Sequence, residues 1–181
     1  MSPTEQPQPA SPLRALSNPT RLRILSMLTG RALSATQVSL ELGIRHGSAS
    51  YHLRQLQNAG LIDTAEVERV NGGIQRRYRY LLPAEQDAPR SPWNVDDLLL
   101  VIEALSTEMR RRAVLSKPGL SAAIDGEYWI PEATWRAVRS DIQAATRRLH
   151  EAAQPSQTAG MVHVSASALL FEMHDGTVGE R

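Results

Sequence analysis

The stretch GSASYHLRQLQNAGLI, residues 47–62, contains a polar helical pattern that stops abruptly at a glycine. Three of its apolar residues recur at steps of four and three, a spacing that buries one face of a helix. These are Ala49, Leu53 and Leu56. The outer face holds Ser, Tyr, His, Arg and Gln, whereas solubility alone would favour Glu and Lys. Gly60 can take the left-handed conformation that ends a helix. The sequence predicts a helix from about His46 to Asn58 with an outer face suited to hydrogen bonding.

Helical patterns also precede this stretch. Leu13 and Leu16 share a face, and Asn18-Pro19 then marks a helix start, with Asn as the N-cap and Pro in the first turn. The buried stripe that follows is Leu22, Ile24, Leu25 and Leu28. Ser34 and Gln37 form a capping box for a short helix that stops at Gly43.

Two extended segments follow, at residues 61–68 and 74–82, with the hairpin signal Asn71-Gly72-Gly73 between them. In the second segment one face is predicted to pack, through Ile74, Tyr78, Tyr80 and Leu82. The other face carries Gln75, Arg77 and Arg79. Three helices, a turn, a polar helix and a basic hairpin are the order of a winged helix-turn-helix, in which the polar helix reads DNA.

Three signatures in this region resemble the ArsR-type winged-helix family of bacterial transcription regulators. They are LSNPTRLRIL, the block SASYHLRQLQNAGLI and the hairpin NGGIQRRYRYLL, all within about residues 13–82. The resemblance implies a homodimeric DNA-binding regulator, usually a repressor, that reads a pseudo-palindromic operator. Its two recognition helices would enter successive major grooves, and its hairpins would meet the minor groove.

The resemblance also implies which residues contact DNA. On the recognition helix and at its start they are Arg45, His46, Ser48, Ser50, Tyr51 and Arg54, with Gln55 near the groove edge. On the hairpin they are Asn71, Gly72, Gly73, Gln75, Arg76 and Arg77. Thr36 and Gln37, at the start of the preceding helix, would contact phosphate.

The chain departs from the family in two places. The metal-sensing members use a Cys pair on the helix before the recognition helix, and this chain has no cysteine. Thiolate sensing of arsenic, cadmium or lead is therefore excluded. The position that often holds a Ser or Thr cap is occupied here by Arg45-His46-Gly47, so the recognition helix is expected to begin late.

The second half of the chain is predicted to be a dimerisation and effector region. Residues 83–94 are a Pro-rich linker, and a helix then places an apolar stripe at heptad spacing. The stripe, predicted to form the dimer interface, is Val95, Leu98, Ile102, Leu105 and Met109. A strand at 127–130, a helix from Pro131 and a strand at 161–173 complete the region. The aromatic residues Trp93, Tyr128, Trp129 and Trp135 could line a ligand pocket or simply form a core.

The prediction is thus an α+β, mainly helical protein of 181 residues. It divides into a disordered tail at 1–11, a DNA-binding domain at 12–82, the linker at 83–94 and a second domain at 95–175. Arg supplies all but one of the 20 basic residues, which suits phosphate and guanine recognition but is also expected from a GC-rich genome.

No catalytic, metal or cofactor site is predicted, because no nucleophile–base pair, phosphate loop or tight histidine spacing occurs in the sequence. The chain is predicted to be non-enzymatic, cytoplasmic and not membrane-bound. Its expected partners are double-stranded DNA and a second copy of itself, and a small organic effector or no effector at all is expected rather than a metal. The alternative is a winged-helix module for protein–protein contact.

Overall fold

The computed structural model describes residues 12–70, 73–82, 94–119, 122–155 and 158–174. Six helices lie in this part of the chain: α1 Pro12–Leu16, α2 Pro19–Leu28, α3 Ala35–Leu42, α4 His46–Asn58, α5 Val95–Ala113 and α6 Glu132–Ala152. Its strands are β1 Leu33–Ser34, β2 Ile62–Val70 and β3 Gly73–Tyr80, in the sheet order β1-β3-β2. The predicted tail 1–11, linker residues 83–93 and turn residues Asn71 and Gly72 lie outside the described residues.

The helix-turn-helix core follows the capping pattern of the sequence. The Asn18 side chain accepts a hydrogen bond from the Arg21 backbone N–H at 3.2 Å, which fixes the start of α2. Both bonds of the Ser34–Gln37 capping box are present at the start of α3. The stripe of α2 then packs with α3, α4 and the sheet around a shared core. The residues of this core include Ile24, Leu28, Leu33, Val38, Leu53, Leu56 and Ile62.

Two glycines with positive φ flank α4, one in the turn before it and one just after its end. Gly43 has φ 66° in the turn after α3, and this turn is closed by a 2.6 Å bond from the Ser39 hydroxyl to the Ile44 carbonyl. Gly60 has φ 68° after α4, and the Leu61 N–H returns to the Leu56 carbonyl at 3.0 Å. The predicted bounds of α4 and both glycine stops are confirmed.

The sheet contains one strand that the sequence did not predict. β1 has only two residues, and it pairs Leu33 with Tyr78 on β3. β2 and β3 form the predicted hairpin, called the wing below, with a register shift between Thr64 and Glu66. Ile74 was predicted to pack on the core, yet it is 67% exposed. It lies near the tip of the wing, beyond the reach of the helices, whereas Tyr78 and Tyr80 near the base pack on the core.

α5 joins the winged domain to the rest of the chain. It packs against α1 and α2, and Val101 and Ala104 are buried in that contact. Asn94 caps its start through a 2.6 Å bond to the Asp97 backbone N–H. Acidic residues in the first turn and arginines in the last turn suit the helix dipole.

The predicted strands at 127–130 and 161–173 are wrong. Both segments lie among the described residues, and neither has strand structure. An alternating apolar pattern supplies side chains for one face, but a strand also needs a neighbouring backbone for its hydrogen bonds. No such neighbour faces these segments in the described chain.

The helix between these segments, α6, is present as predicted, directly after Pro131. None of its residues is buried. Within the described residues, no helix is both long and apolar enough to cross a bilayer.

Candidate nucleic-acid interface

The outer face of α4 is polar and free of carboxylates. Ala49, Leu53 and Leu56 anchor the opposite face in the core, so the remaining side chains point outward. The exposed members of the predicted DNA-contacting set on and beside α4 are Arg45, His46, Ser48, Tyr51 and Arg54, whereas Ser50 and Gln55 are half-buried. Tyr51 is 51% exposed. This face therefore offers hydrogen-bond donors and acceptors with cationic charge and no repelling anion.

Two residues that were predicted to contact DNA form hydrogen bonds within the protein. The Gln37 side-chain oxygen accepts the Ser34 backbone N–H at 2.9 Å, as part of the capping box. The Gln75 amide donates to the Ser34 hydroxyl at 3.1 Å. Both side chains are thus directed to Ser34, which is buried. Thr36, next to them at the start of α3, is exposed.

The wing is tied to the helix-turn-helix by these polar contacts. Besides the Gln75–Ser34 bond, the Gln57 amide at the end of α4 donates to the Thr64 hydroxyl on β2 at 3.2 Å. The first bond joins β3 to the start of α3, and the second joins the end of α4 to β2, so the wing is held at two points of the helix-turn-helix.

The wing itself has mixed charge. β2 and β3 together carry four arginines and three carboxylates. Arg77 is half-buried, and its Nε lies 3.7 Å from Glu66 and 3.9 Å from Glu68. Arg76 is exposed. Of the two predicted wing arginines, Arg76 is thus the one presented to solvent, while Arg77 helps to hold the strands together.

Sequence reasoning missed the role of Arg21. Its guanidinium donates to the carbonyls of Ala15 and Arg14 at the end of α1, the second at 2.7 Å. Burial lowers the pKa of Arg21, while Tyr51 raises it. Arg21 therefore connects the end of α1 to the base of the outer face of α4. The feature of the sequence that could have identified Arg21 is its position three residues after the cap Asn18, where α2 meets α1.

His52 lies beside this guanidinium. Its ring meets Tyr51 edge-on, with 5.5 Å between centroids, and its buried Nδ1 has no hydrogen-bond partner among the described residues. Burial lowers the pKa of His52, and the positive charge of Arg21 lowers it further. His52 is therefore a half-buried residue under the outer face, where its charged form is disfavoured.

No group of three or more His, Asp or Glu side chains that could hold a metal ion occurs in the described parts of the chain. The predicted aromatic cluster is also not assembled as a pocket. Trp129 is 85% exposed and Tyr128 is 69% exposed. The indole N–H of Trp135 donates a hydrogen bond to the Glu172 carboxylate at 2.7 Å. Trp93 lies outside the described residues.

Comparison with known proteins agrees with this architecture. A family model described as a helix-turn-helix domain matches residues 16–65, from the end of α1 into β2. The HTH-type transcriptional regulator NmtR of Mycobacterium tuberculosis is 40% identical over 55 residues, which are 30% of this chain and 46% of that protein. The chain thus spans about half the length of this curated relative.

A solved structure is also similar. It is the solution NMR structure of a homodimeric winged helix-turn-helix DNA-binding domain, fragment 1–100, from Mycobacterium bovis, described as a possible ArsR-family transcriptional regulator. The match has a TM-score of 0.32 and 19% identity, and covers 56% of this chain and 81% of that one. The family model identifies residues 16–65 as a helix-turn-helix domain, and the chain has distant sequence similarity to an HTH-type transcriptional regulator.

Proposed function

We propose that this chain is a sequence-specific DNA-binding transcriptional regulator, and that it acts as a homodimeric repressor on a pseudo-palindromic operator. In this proposal α4 enters the major groove and the wing meets the minor groove. One observation carries the proposal: the solvent-facing side of α4 is polar and cationic, without a carboxylate. A helix of this kind can bond base edges without repelling the phosphates on either side of the groove.

The direct contacts are assigned by exposure. Tyr51 and Arg54 lie on the outer face of α4, and Arg76 lies on the exposed side of the wing. Arg54 suits bidentate bonding to guanine or a phosphate, and Arg76 suits phosphate or the minor groove. Gln37 and Gln75 are assigned as positioning residues, because their amides bond Ser34.

The dimer is proposed to form through the outer face of α5. Leu98 and Leu105 of the predicted stripe share the face of Val101 and Ala104, which packs on α1 and α2. The neighbouring exposed face carries apolar side chains at heptad spacing. They are Val95, Leu99, Ile102 and Met109, which are 67%, 58%, 39% and 53% exposed. Leu99 therefore takes the place of Leu98 in the proposed interface.

The charges of α5 favour an antiparallel pair. Asp96 and Asp97 lie in its first turn, and Arg110 and Arg111 lie in its last turn. In an antiparallel pair the acidic end of each helix would meet the basic end of its partner. Such pairs set orientation more than affinity, so the apolar stripe remains the source of stability.

A binding titration tests the proposal. The full chain is titrated against the duplex upstream of its own coding sequence and against a scrambled duplex of equal length, at two salt concentrations. We expect tighter binding to the upstream duplex and a steep loss of affinity as salt rises, because bound cations on DNA are displaced. A promoter–reporter fusion should then be repressed by the chain.

A double variant, Tyr51→Ala with Arg54→Ala, identifies the surface that binds. We expect a loss of roughly tenfold or more in affinity, since a good base contact contributes about 1–3 kcal/mol. Arg148→Ala, which removes an exposed arginine from α6, is the matched control and should bind as the parent does. Unchanged affinity in the double variant would remove α4 as the DNA-reading element.

A second candidate function is a winged-helix module for protein–protein contact. The observation that favours it is the apolar wing surface, where Val67 is 61% exposed and Ile74 is 67% exposed. The carboxylates of β2 also weaken the attraction of the wing for DNA. Absence of binding to either duplex at low salt would favour this candidate.

A further inference from the structure

A cleft of about 230 Å³ lies where α2, the end of β3, α5 and the C-terminal end of α6 meet. Leu22, Leu25 and Leu105 form its apolar part, and Ser26, Thr29 and Arg112 form its polar part. We propose that this cleft binds a small hydroxylated aromatic acid. The carboxylate would bond Arg112, the ring would lie on the leucines, and the hydroxyl would donate to an acceptor in the lining of the cleft.

Arg112 supplies the anion selectivity. Its side chain is only 20% exposed, and its Nη2 donates to the Ser26 hydroxyl at 3.2 Å. Its Nε lies 3.6 Å from the buried carboxylate of Glu108, which also pairs with Arg111 at 2.9 Å. Two guanidinium groups thus share one carboxylate, and a net positive charge remains. The planar fork of an arginine matches a carboxylate in two parallel hydrogen bonds.

The hydroxyl groups of the cleft select a ligand that donates a hydrogen bond. Ser26 Oγ donates to the Leu22 carbonyl at 3.1 Å, and Thr29 Oγ1 donates to the Leu25 carbonyl at 3.0 Å. With their protons committed to the helix, both hydroxyls present acceptor lone pairs to the cleft. Ser26 already accepts from Arg112, so Thr29 is the hydroxyl of α2 that remains as an acceptor for the ligand.

His150 adds a further acceptor and a flat wall. Its Nδ1 lies 2.8 Å from the Thr146 carbonyl, which requires a proton on Nδ1 and assigns an acceptor lone pair to Nε2 in the neutral ring. The Tyr80 and His150 rings are stacked, with 4.8 Å between centroids and 19° between planes. A planar ligand ring fits beside such a stack better than a branched aliphatic body.

The volume limits the size of the ligand. Sites for drug-sized molecules occupy roughly 300–1,000 Å³, so this cleft is suited to a single ring with one or two substituents. The leucine surfaces favour an aromatic ring over a sugar or a free phosphate, either of which would leave those surfaces unmatched. A monocyclic hydroxy acid satisfies the size, charge and hydrogen-bonding requirements together.

The position of the cleft connects it to the winged domain. α2 contributes Ile24 and Leu28 to the core beneath α4, and Tyr80 ends the second strand of the wing. A ligand that bridges α5 and α6 to these elements would change how the DNA-binding surface is held. This regulatory part rests on the proposed DNA-binding function, whereas ligand binding itself does not.

Isothermal titration calorimetry of the full chain without DNA tests the site, with 4-hydroxybenzoate as the probe. Its matched probes are 4-hydroxybenzamide, which lacks the negative charge, and benzoate, which lacks the hydroxyl. We expect 4-hydroxybenzoate to bind roughly tenfold more tightly than either, because each analogue leaves one polar group of the cleft unmatched. Equal binding of all three, or no saturable binding of 4-hydroxybenzoate, would overturn the proposal.

Two variants and one control locate the binding. Arg112→Gln should abolish the preference for the acid, whereas Arg111→Gln, on the same helix but outside the cleft lining, should keep it. Thr29→Val preserves shape and should abolish the advantage of 4-hydroxybenzoate over benzoate. Retention of both preferences in these variants would place any binding elsewhere and overturn the assignment.

A final arm repeats the DNA titration with saturating 4-hydroxybenzoate. A change in DNA affinity that Arg112→Gln removes would support the effector role. Unchanged DNA affinity in a chain that binds both ligands would overturn that role alone. Failure to bind DNA under any condition would count against the proposed function, while the calorimetric result would still stand for the cleft.

Discussion

Arg21 and His52 are neighbours beneath the outer face of α4, and both are cationic residue types in a partly buried place. The Arg21 guanidinium is held by the carbonyls that end α1. His52 has no bond to its buried Nδ1 among the described residues. Since burial and Arg21 both lower the pKa of His52, protonation of its ring opposes the folded state.

The stability of the folded chain should therefore decrease in mild acid. The unfolded chain takes up a proton at His52 near its ordinary pKa of 6.5, while the folded chain takes it up only at lower pH. The free energy of unfolding should thus fall as pH drops below about 6.5 and level off below the folded pKa. Urea unfolding from about pH 8 to about pH 5 measures this slope.

His52→Gln should flatten that pH dependence, because the variant has no ring to titrate. His46→Gln, which changes the exposed histidine at the start of the same helix, is the control and should keep the parent slope. If His52→Gln and the parent lose the same free energy over this range, another group carries the acid sensitivity.

Capping residues were the most predictable single positions. Asn18, Ser34 and Gly60 act through bonds to residues within a few positions, so the local sequence contains both partners. The bond from Gln75 to Ser34 spans 41 positions and depends on how the wing folds over α3. No local pattern could therefore distinguish Gln75, a positioning residue, from the exposed Arg76 beside it.

At the scale of elements, α5 has two faces with different partners. One face packs on α1 and α2, and the other leaves an apolar heptad stripe exposed. The sequence predicted the helix correctly, but it could not assign the leucines to a face, because Leu98, Leu99 and Leu100 are adjacent and all apolar. Packing against the winged domain decides that Leu99 belongs to the outer stripe.

Ile102→Glu should dissociate the proposed dimer, because a carboxylate in the centre of an apolar helix pair is costly to bury. Analytical ultracentrifugation over a range of concentrations measures the change, and the circular dichroism spectrum should remain that of a folded chain. Thr107→Glu adds the same charge to an exposed position off the stripe and is the control. A variant Ile102→Glu with the parent's dissociation constant would remove α5 as the dimer interface.

The two wrong strands illustrate what an element needs beyond its own residues. The alternation in residues 161–173 is clear in the sequence, and Val162 and Val164 remain 83% and 62% exposed in the structure. Helices and caps are specified within one segment, so they were predicted well. Strand pairing depends on a second segment, and the wing succeeded because its two strands are joined by a short turn.

At the scale of the whole molecule, few contacts hold the C-terminal region to the winged domain. Gly30, after α2, approaches the chain just beyond α6 so closely that an added Cβ would lie 2.6 Å from the Gln154 carbonyl oxygen. The Tyr80–His150 stack, between the end of β3 and α6, is a further contact of this kind. The winged domain itself has a buried core, whereas no residue of α6 is buried.

Gly30→Ala should therefore loosen the C-terminal region without unfolding the winged domain. We expect a lower melting temperature and faster proteolysis after α6, because the backbone at Gln154 must move. Gly47→Ala is the matched control: nothing lies within 4 Å of its added Cβ. Ala in this helical turn should stabilise α4 by roughly 0.5 kcal/mol. If both variants shift stability in the same direction, the close approach at Gly30 does not hold the region in place.

The Ser34 hydroxyl accepts both the Gln37 backbone N–H at 3.3 Å and the Gln75 amide at 3.1 Å. One oxygen atom thus serves the start of α3 and the placement of the wing. In evolutionary terms, positions 34 and 75 are coupled, and an allele that replaces Ser34 would impair both the start of α3 and the placement of the wing. Changes that compensate for the wing defect belong on β3, far away in the sequence from the helix that Ser34 caps.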